Sequence, residues 1–188
     1  LSKLYAAAAR GSVERTVALL SRGSVDIDGG YGDVGRTPLM AASTMGYLRV
    51  VRVLLRLGAR VSMADNAGAT ALHLSIVNKH LAVSKALIKA GADVEALDVD
   101  RTPLHVAAAK GFHTGMVMLI HAGANVDAVH AMSWCWPSAL EKSTPIVRML
   151  SGLKRRATKP RVLLAALSRY NNKEDGPFLG YSPNKNGE

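Results

Sequence analysis

The amino-acid sequence predicts an all-α fold, a solenoid of stacked helix-turn-helix units with short β-turn or hairpin fingers between them. The string TPLM at residues 37–40 returns as TALH at 70–73 and as TPLH at 102–105. These strings are 33 and 32 residues apart, which is the spacing of a helix-pair repeat. A chain that repeats one such unit works through the surface that the stack presents, so the spacing favours binding over catalysis.

The repeated strings begin the first helix of each unit. Thr37 and Thr102 are predicted N-caps, since a threonine hydroxyl accepts hydrogen bonds from the amides of the first turn. The proline after each of them takes the first helical position, where a missing N–H costs nothing; Ala71 replaces it in the middle unit. Small residues predict close contact between neighbouring first helices: Ala7 and Ala8, Ala42 and Ser43, Ala107 and Ala108. Three glycines with positive φ are predicted to end these helices: Gly11, Gly46 and Gly111.

A second helix in each unit is predicted by a pair of adjacent apolar residues. The pairs are Leu19 and Leu20, Leu54 and Leu55, Leu87 and Ile88, and Leu119 and Ile120. Apolar residues three and four positions upstream complete one buried helical face. A glycine follows each pair and is predicted to end the helix: Gly23, Gly58, Gly91 and Gly123. Short extended stretches such as GADVE then lead into the next turn.

These elements, TPLHxAA, the mid-repeat glycine, the LL pair and GADVN in that order, resemble the ankyrin-repeat family. The resemblance covers residues 1–130 and implies four repeats, at 1–31, 32–64, 65–96 and 97–129. It implies a non-catalytic module that binds another protein through a concave groove of turn tips and inner helices.

Four residues depart from the family pattern. Lys79 stands where the mid-repeat glycine is expected, and Asp100 replaces the turn glycine. Aspartate tolerates the left-handed region better than most residues, whereas Lys79 is predicted to strain or reshape its loop. His113 and Gly115 stand where the family pattern has apolar residues, in the second helix of the fourth repeat. That helix is predicted to be the weakest, since an interior glycine costs about 0.5–1 kcal/mol relative to alanine.

The pattern decays after residue 130. Residues 131–153 are interpreted as a degenerate capping repeat, with a misjoined or truncated gene product as the rival interpretation. Residues 154–188 are predicted to form a basic helix and a disordered tail. The basic cluster is Lys154, Arg155, Arg156, Lys159 and Arg161. It is similar to a nuclear import signal, and a solvated linker is the favoured alternative.

Charge and composition bound the class of protein. The 188 residues carry a net charge of +10, with ten Lys and Arg against four acidic residues in 141–188. Cys135 is the single cysteine, so no internal disulfide forms and a reducing compartment is expected. No apolar run approaches the roughly 20 residues of a membrane-spanning helix, and no signal peptide is recognised. We expect an intracellular monomer, cytoplasmic or nuclear; the missing initial methionine suggests a processed chain or a fragment.

No residues form a pattern typical of an active site or a metal site. His73 and His105 share one motif position, a whole repeat apart, which favours a structural hydrogen bond between loops over metal binding. The other histidines lack zinc-ligand spacing, and neither a phosphate-binding loop nor a nucleophile elbow occurs. We therefore expect no cofactor, no metal and no enzymatic activity.

The resemblance nominates partner-binding residues in the turn before each threonine and at the end of each first helix. In the second repeat these are Asp33, Val34, Arg36, Thr44 and Met45. In the third they are Asn66, Ala67, Ala69, Val77 and Asn78. In the fourth they are Asp98, Val99, Arg101, Ala109 and Lys110. Two alternatives remain open: electrostatic binding of nucleic acid or an anionic membrane through the basic C-terminal segment, and a role as the adaptor part of a larger enzyme.

Overall fold

The computed structural model describes residues 3–23 and 25–125, which form eight helices in four antiparallel pairs. The helices are α1 Lys3–Ala9, α2 Val13–Leu20, α3 Pro38–Thr44, α4 Leu48–Arg56, α5 Ala71–Val77, α6 Leu81–Lys89, α7 Pro103–Ala109 and α8 His113–His121. Strand-type pairing in this part of the chain is limited to three isolated antiparallel bridges in the loops. The predicted all-α solenoid is confirmed. The predicted cap at 131–153 and the basic segment with its tail lie outside the described residues.

The helices form two layers. Helices α1, α3, α5 and α7 pack against one another in chain order and form the inner layer, while α2, α4, α6 and α8 follow the same order in the outer layer. Small side chains let the inner helices approach closely: Ala42, Ser75 and Ala107 are fully buried at equivalent positions. Each pair contacts only its neighbours, so stability is distributed along the stack through successive interfaces.

The predicted helix boundaries are confirmed by hydrogen bonds and backbone angles. The Thr37 hydroxyl accepts from the N–H of Met40 at 3.3 Å, and the Thr102 hydroxyl accepts from the N–H of His105 at 3.4 Å. The glycines that follow the inner and the outer helices all have positive φ. Lys79 keeps this geometry with φ of 58°, a conformation that costs an L-residue with a Cβ roughly 1–2 kcal/mol.

The core lies between the two layers. Leu54, Leu87 and Leu119, the first members of the apolar pairs in α4, α6 and α8, are fully buried. Leu19 is only half-buried, because the face of the first helix pair that points away from α3 and α4 has no described neighbour. The outer-helix leucines are therefore more deeply buried from the second helix pair onward than in the first pair.

Candidate functional site

The loops from each outer helix to the next inner helix fold back as short fingers. Antiparallel bridges close them between Tyr31 and Arg36, between Ala64 and Thr70, and between Asp98 and Arg101. In the first finger the N–H of Tyr31 donates to the Arg36 carbonyl at 2.8 Å, and the N–H of Arg36 donates back at 3.1 Å. In the third finger, Asp98 and Arg101 exchange the same two bonds at 2.9 Å each. These fingers carry the turn residues that the sequence nominates for partner binding.

Hydrogen bonds join neighbouring fingers into one row. The N–H of Asn66 donates to the Val34 carbonyl at 2.9 Å, and its side-chain amide donates to the Asp33 carbonyl at 2.6 Å. The N–H of Val99 donates to the Ala67 carbonyl at 3.2 Å. Because adjacent tips are connected backbone to backbone, the three fingers form a continuous edge rather than three separate loops.

A buried carboxylate holds the second finger in shape. One oxygen of Asp65 accepts from the N–H groups of Ala67 and Ala69, both at 3.0 Å, and the other pairs with the Arg36 guanidinium at 3.3 Å. Only 1% of the Asp65 side chain is exposed. Asp65 therefore closes its own turn and ties it to the preceding finger.

Asp28 and Asp98 play related parts in the other fingers. Both oxygens of Asp28 are used by Arg60, which donates from its backbone N–H at 3.0 Å and from its side chain at 2.9 Å. Asp98 pairs with Arg101 in its own finger at 3.0 Å. Arg36 and Arg101, both nominated for partner contact, are thus already paired within the chain, and their half-exposed side chains present only their remaining N–H groups.

The third finger differs from the sequence expectation. The left-handed residue is Val99, with φ of 57°, and not Asp100. Because this repeat is one residue shorter, only Val99 and Asp100 lie between the bridged residues, and a positive φ falls on the first of them, as in a type II′ turn. Left-handed backbone is rare for a β-branched residue. Val99 is nevertheless 70% exposed, so the tip of this finger combines a strained backbone with an exposed apolar side chain.

The C-terminal ends of the inner helices carry the remaining nominated residues. Met45 is 52% exposed, Asn78 and Lys110 are exposed, and Thr44, Val77 and Ala109 are half-buried. The Asn78 amide donates to the Leu74 carbonyl of its own helix at 2.9 Å. Met45 therefore offers this edge its largest exposed apolar side chain.

Two nominated residues are not accessible. Ala69 is 7% exposed, because it pairs with Asp65 beneath the second finger, and Asp98 is 8% exposed, because its carboxylate turns inward to Arg101. These two expectations are corrected: both residues support the fingers rather than form the surface. The structure leaves the other thirteen at least partly exposed.

Leu97 is an exposed residue that the sequence interpretation missed. Its side chain is 58% exposed at the base of the third finger, two residues before Val99. It is not among the nominated residues, and it lies just outside the turn that the bridge between Asp98 and Arg101 closes. The one-residue difference between the 33- and 32-residue intervals was the available signal.

His73 makes the structural hydrogen bond between repeats that the sequence predicts, and the ring of His105 bonds to the cap residue of its own helix. The two ring nitrogens of His73 lie 3.0 Å from the Thr70 hydroxyl and 3.2 Å from the Arg101 carbonyl, so the ring links α5 to the third finger. A ring nitrogen of His105 lies 2.7 Å from the Thr102 hydroxyl. Burial lowers the pKa of the His73 imidazole below its ordinary value of 6.5, although the Arg101 carbonyl opposes this shift.

Stability is expected to fall in acid through His73. A lowered folded-state pKa means that the unfolded chain binds the proton more tightly, so this contribution is complete above pH 6.5 and is lost as pH falls from there through the folded-state pKa. Urea unfolding from about pH 8 to about pH 5 should therefore show a declining free energy of unfolding. His73→Gln should flatten that decline; an equal slope in the variant would contradict the assignment.

The described residues contain no cluster of three or more metal-ligating side chains. Nor does any helix in this part of the chain have the length and apolar character needed to cross a bilayer. The acidic residues at the finger turns are used as caps and ion-pair partners, as at Asp28, Asp65 and Asp98.

Comparison with known proteins identifies the repeat. A family model described as ankyrin repeats in three copies matches residues 2–65 and 58–130. A 110-residue stretch is 37% identical to the human ankyrin repeat and SOCS box protein 16, covering 57% of this chain and 24% of that protein. Human B-cell lymphoma 3 protein is 33% identical over 127 residues, which cover 65% of this chain and 28% of that protein.

A relative from Arabidopsis thaliana carries an enzyme name. The E3 ubiquitin-protein ligase KEG is 31% identical over 125 residues, covering 65% of this chain and 8% of that protein. The matched region thus spans about a quarter of the two human relatives and less than a tenth of this ligase. The similarity lies in the repeats, which these proteins combine with much additional sequence.

Proposed function

This chain belongs to the ankyrin-repeat family, whose repeats generally mediate protein–protein interaction, and we propose that it binds a partner protein along the edge formed by its fingers and inner-helix ends. The observation that supports this proposal is the continuous finger row, joined through Asn66 and Val99. A surface already fixed by hydrogen bonds loses little conformational entropy on binding. The module itself acts without catalysis.

Apolar side chains run along the middle of this edge. Val34 and Val99 are exposed at the first and third tips, and Ala67 is exposed on the tip between them. Met45, at the end of α3, and Leu97, at the base of the third finger, are further exposed apolar side chains. Charged groups, among them Asp33 and the paired Arg36, border it. An apolar centre with a polar rim is the usual arrangement of a protein interface.

Val99 is the residue we expect to contribute most to binding. It combines a strained backbone with the greatest exposure among the large apolar side chains of the described region. Strain of this kind is retained where a side chain has a use outside the folding of its own loop. Few residues dominate the affinity of an interface, and an exposed apolar anchor on a rigid turn is a suitable one.

Two alternative functions involve sequence outside the finger edge. The name of the Arabidopsis thaliana relative favours, for this chain too, the alternative of an adaptor within a larger enzyme. Electrostatic binding through Lys154–Arg156 and its neighbours is the other alternative, and it rests on the excess positive charge of residues 141–188. The location that we propose is the cytoplasm or the nucleus, because the single cysteine, Cys135, fits a reducing compartment.

The proposal is tested with paired substitutions and a captured partner. The full chain, carrying a photo-crosslinking group at Ala67, identifies the partner, and titration calorimetry then measures its affinity for the variants. Met45→Ala with Val99→Gly should weaken binding at least about tenfold, because both apolar contacts are lost. Val99→Gly should also raise the free energy of unfolding by about 1 kcal/mol, since glycine relieves the positive φ.

Matched controls are available on the outer helices. Val17 and Leu57 are 43% and 51% exposed and belong to the other layer. Val17→Ala with Leu57→Ala should leave the affinity within about twofold. Equal losses for both pairs of substitutions, or none for the finger pair, would rule out the finger edge as the binding surface.

A further inference from the structure

Charge is segregated between the loops and the outer helices. Of the nine acidic residues in 3–23 and 25–125, eight lie in the loops between helix pairs and only Glu14 lies in a helix. The outer helices α2, α4 and α6 carry six Lys and Arg residues. The loops between helix pairs therefore hold an excess of carboxylates, eight against four arginines, while the outer helices α2, α4 and α6 are strongly positive.

Four of these cations occupy equivalent positions on adjacent helices. Arg52 and Arg56 on α4 correspond to Lys85 and Lys89 on α6, and all four are exposed. Residues four apart on one helix are about 6 Å apart along its axis. Packed helices lie about 8–10 Å apart. The four residues, which we name the cationic face, thus form a two-by-two array, and Arg49 extends it by one turn on α4.

The cationic face is not neutralised by the protein itself. The three ion pairs found in the described residues, of Arg36, Arg60 and Arg101, all involve loop aspartates. None of the four side chains of the cationic face makes an ion pair or a hydrogen bond within that part of the chain. Like charges held side by side repel one another, so an external anionic surface would relieve this repulsion as well as attract the face.

We propose that the cationic face docks on an anionic lipid bilayer, with the finger edge left free for its protein partner. The two outer helices lie side by side and present their charges as a broad layer, which suits a planar surface. Leu57, 51% exposed, directly follows Arg56 and supplies an apolar side chain for the headgroup region. The opposite charge of the loops orients the molecule with its outer helices toward the lipid.

Other occupants fit this face less well. Aromatic side chains, on which single-stranded nucleic acid stacks, are absent from α4 and α6. The chain's own remaining segment, residues 126–188, carries ten Lys and Arg against five acidic residues and would be repelled. A bilayer needs neither a groove nor a base-specific contact, only surface charge.

The test measures sedimentation of the full chain with vesicles. Phosphatidylcholine vesicles containing about 30% phosphatidylserine should bind it, and pure phosphatidylcholine vesicles should not. Each Lys or Arg near such a surface contributes about fivefold to the partition coefficient. Replacing the four cations together (R52Q, R56Q, K85Q, K89Q) should therefore lower partitioning by about two to three orders of magnitude, since the four contributions multiply. All four side chains are exposed, so the thermal unfolding curve should be retained.

A variant of the basic cluster supplies the matched control. The variant K154Q, R155Q, R156Q and K159Q removes an equal number of positive charges. Its partition coefficient on the anionic vesicles should stay within about threefold of that of the unchanged chain. Equal losses for both variants would show that net charge alone is sensed, and a loss confined to the basic-cluster variant would move binding to that segment. Displacement from vesicles by a short DNA duplex or by polyglutamate at equal charge concentration would identify a different partner. Each of these three results would overturn the proposal.

Discussion

Replacing Asp65 with alanine is expected to lower the free energy of unfolding by about 3 kcal/mol. The carboxylate, almost completely buried, accepts two backbone N–H groups of its own turn and pairs with Arg36 of the preceding finger. Alanine leaves both N–H groups without their acceptor, and that of Ala69 lies in a buried place. Hydrogen bonds to a charged group contribute about 1.5–3 kcal/mol, and unsatisfied buried donors add to the loss. Urea unfolding of the full chain measures the effect.

The substitution should also reduce the cooperativity of unfolding. Asp65 and Asn66 connect the second finger to the first, so the loss falls on the interface between two neighbouring repeats. In a stack whose units contact only their neighbours, a weakened middle interface lets the two halves unfold more independently. We expect a broader transition in the variant, with a lower dependence of the free energy on denaturant concentration.

Two controls separate shape from charge. Asp33→Ala removes the same charge from an exposed side chain that makes no hydrogen bond or ion pair in the described region, and should change stability by less than about 0.5 kcal/mol. Asp65→Asn retains an acceptor oxygen for the turn while it loses the ion pair, so its cost should be intermediate. If Asp65→Ala were as mild as Asp33→Ala, the carboxylate would not be what maintains the finger.

The sequence predicts the repeat frame because each unit carries its own local signals. Thr37 and Thr102 start helices, and Gly46 and Gly58 end them, through hydrogen bonds and backbone angles that involve only nearby residues. The same signals in register place the inner and outer helices and the turns between them. This is why the fold, and the general position of the candidate edge, could be predicted without coordinates.

Contacts between units were not predictable in the same way. The pairs Arg36 with Asp65 and Arg60 with Asp28 join residues about thirty positions apart, and their formation depends on how successive fingers lie against each other. The burial of Asp98 and the strain at Val99 follow from the local geometry of the shortened third finger, and the burial of Ala69 follows from its pairing with Asp65 in the second. The family resemblance nominated Arg36, Ala69, Asp98 and Val99 alike for partner binding, and only the three-dimensional arrangement separates the supporting residues from the exposed tips.

Gly115 illustrates this limit, because the sequence alone predicts only that a glycine inside a helix lowers the stability of that helix. A Cβ at Gly115 would lie 2.2 Å from the ring of Phe112, which is itself buried. At the equivalent helix starts, the rings of Tyr47 and His80 lie instead over the mid-repeat glycines Gly11 and Gly46 of the preceding unit. In the repeat before Phe112, Lys79 stands at the position of the mid-repeat glycine. Its Cβ occupies the space in which the Phe112 ring would otherwise lie. We infer that the two departures are coupled: the ring packs on Gly115 because Lys79 excludes it.

Gly115→Ala is therefore expected to destabilise the protein by about 1–2 kcal/mol, although alanine is favoured over glycine within a helix by about 1 kcal/mol. The ring must move from a packed position, and overpacking exceeds the helical gain. In the Phe112→Ala background the sign should reverse, since nothing then opposes the added methyl. In the Lys79→Gly background the loss should shrink, because the ring gains the place that Tyr47 and His80 use. Urea unfolding of the three pairs decides it: an equal loss in all three backgrounds would mean that Gly115 is constrained by its helix and not by the Phe112 ring.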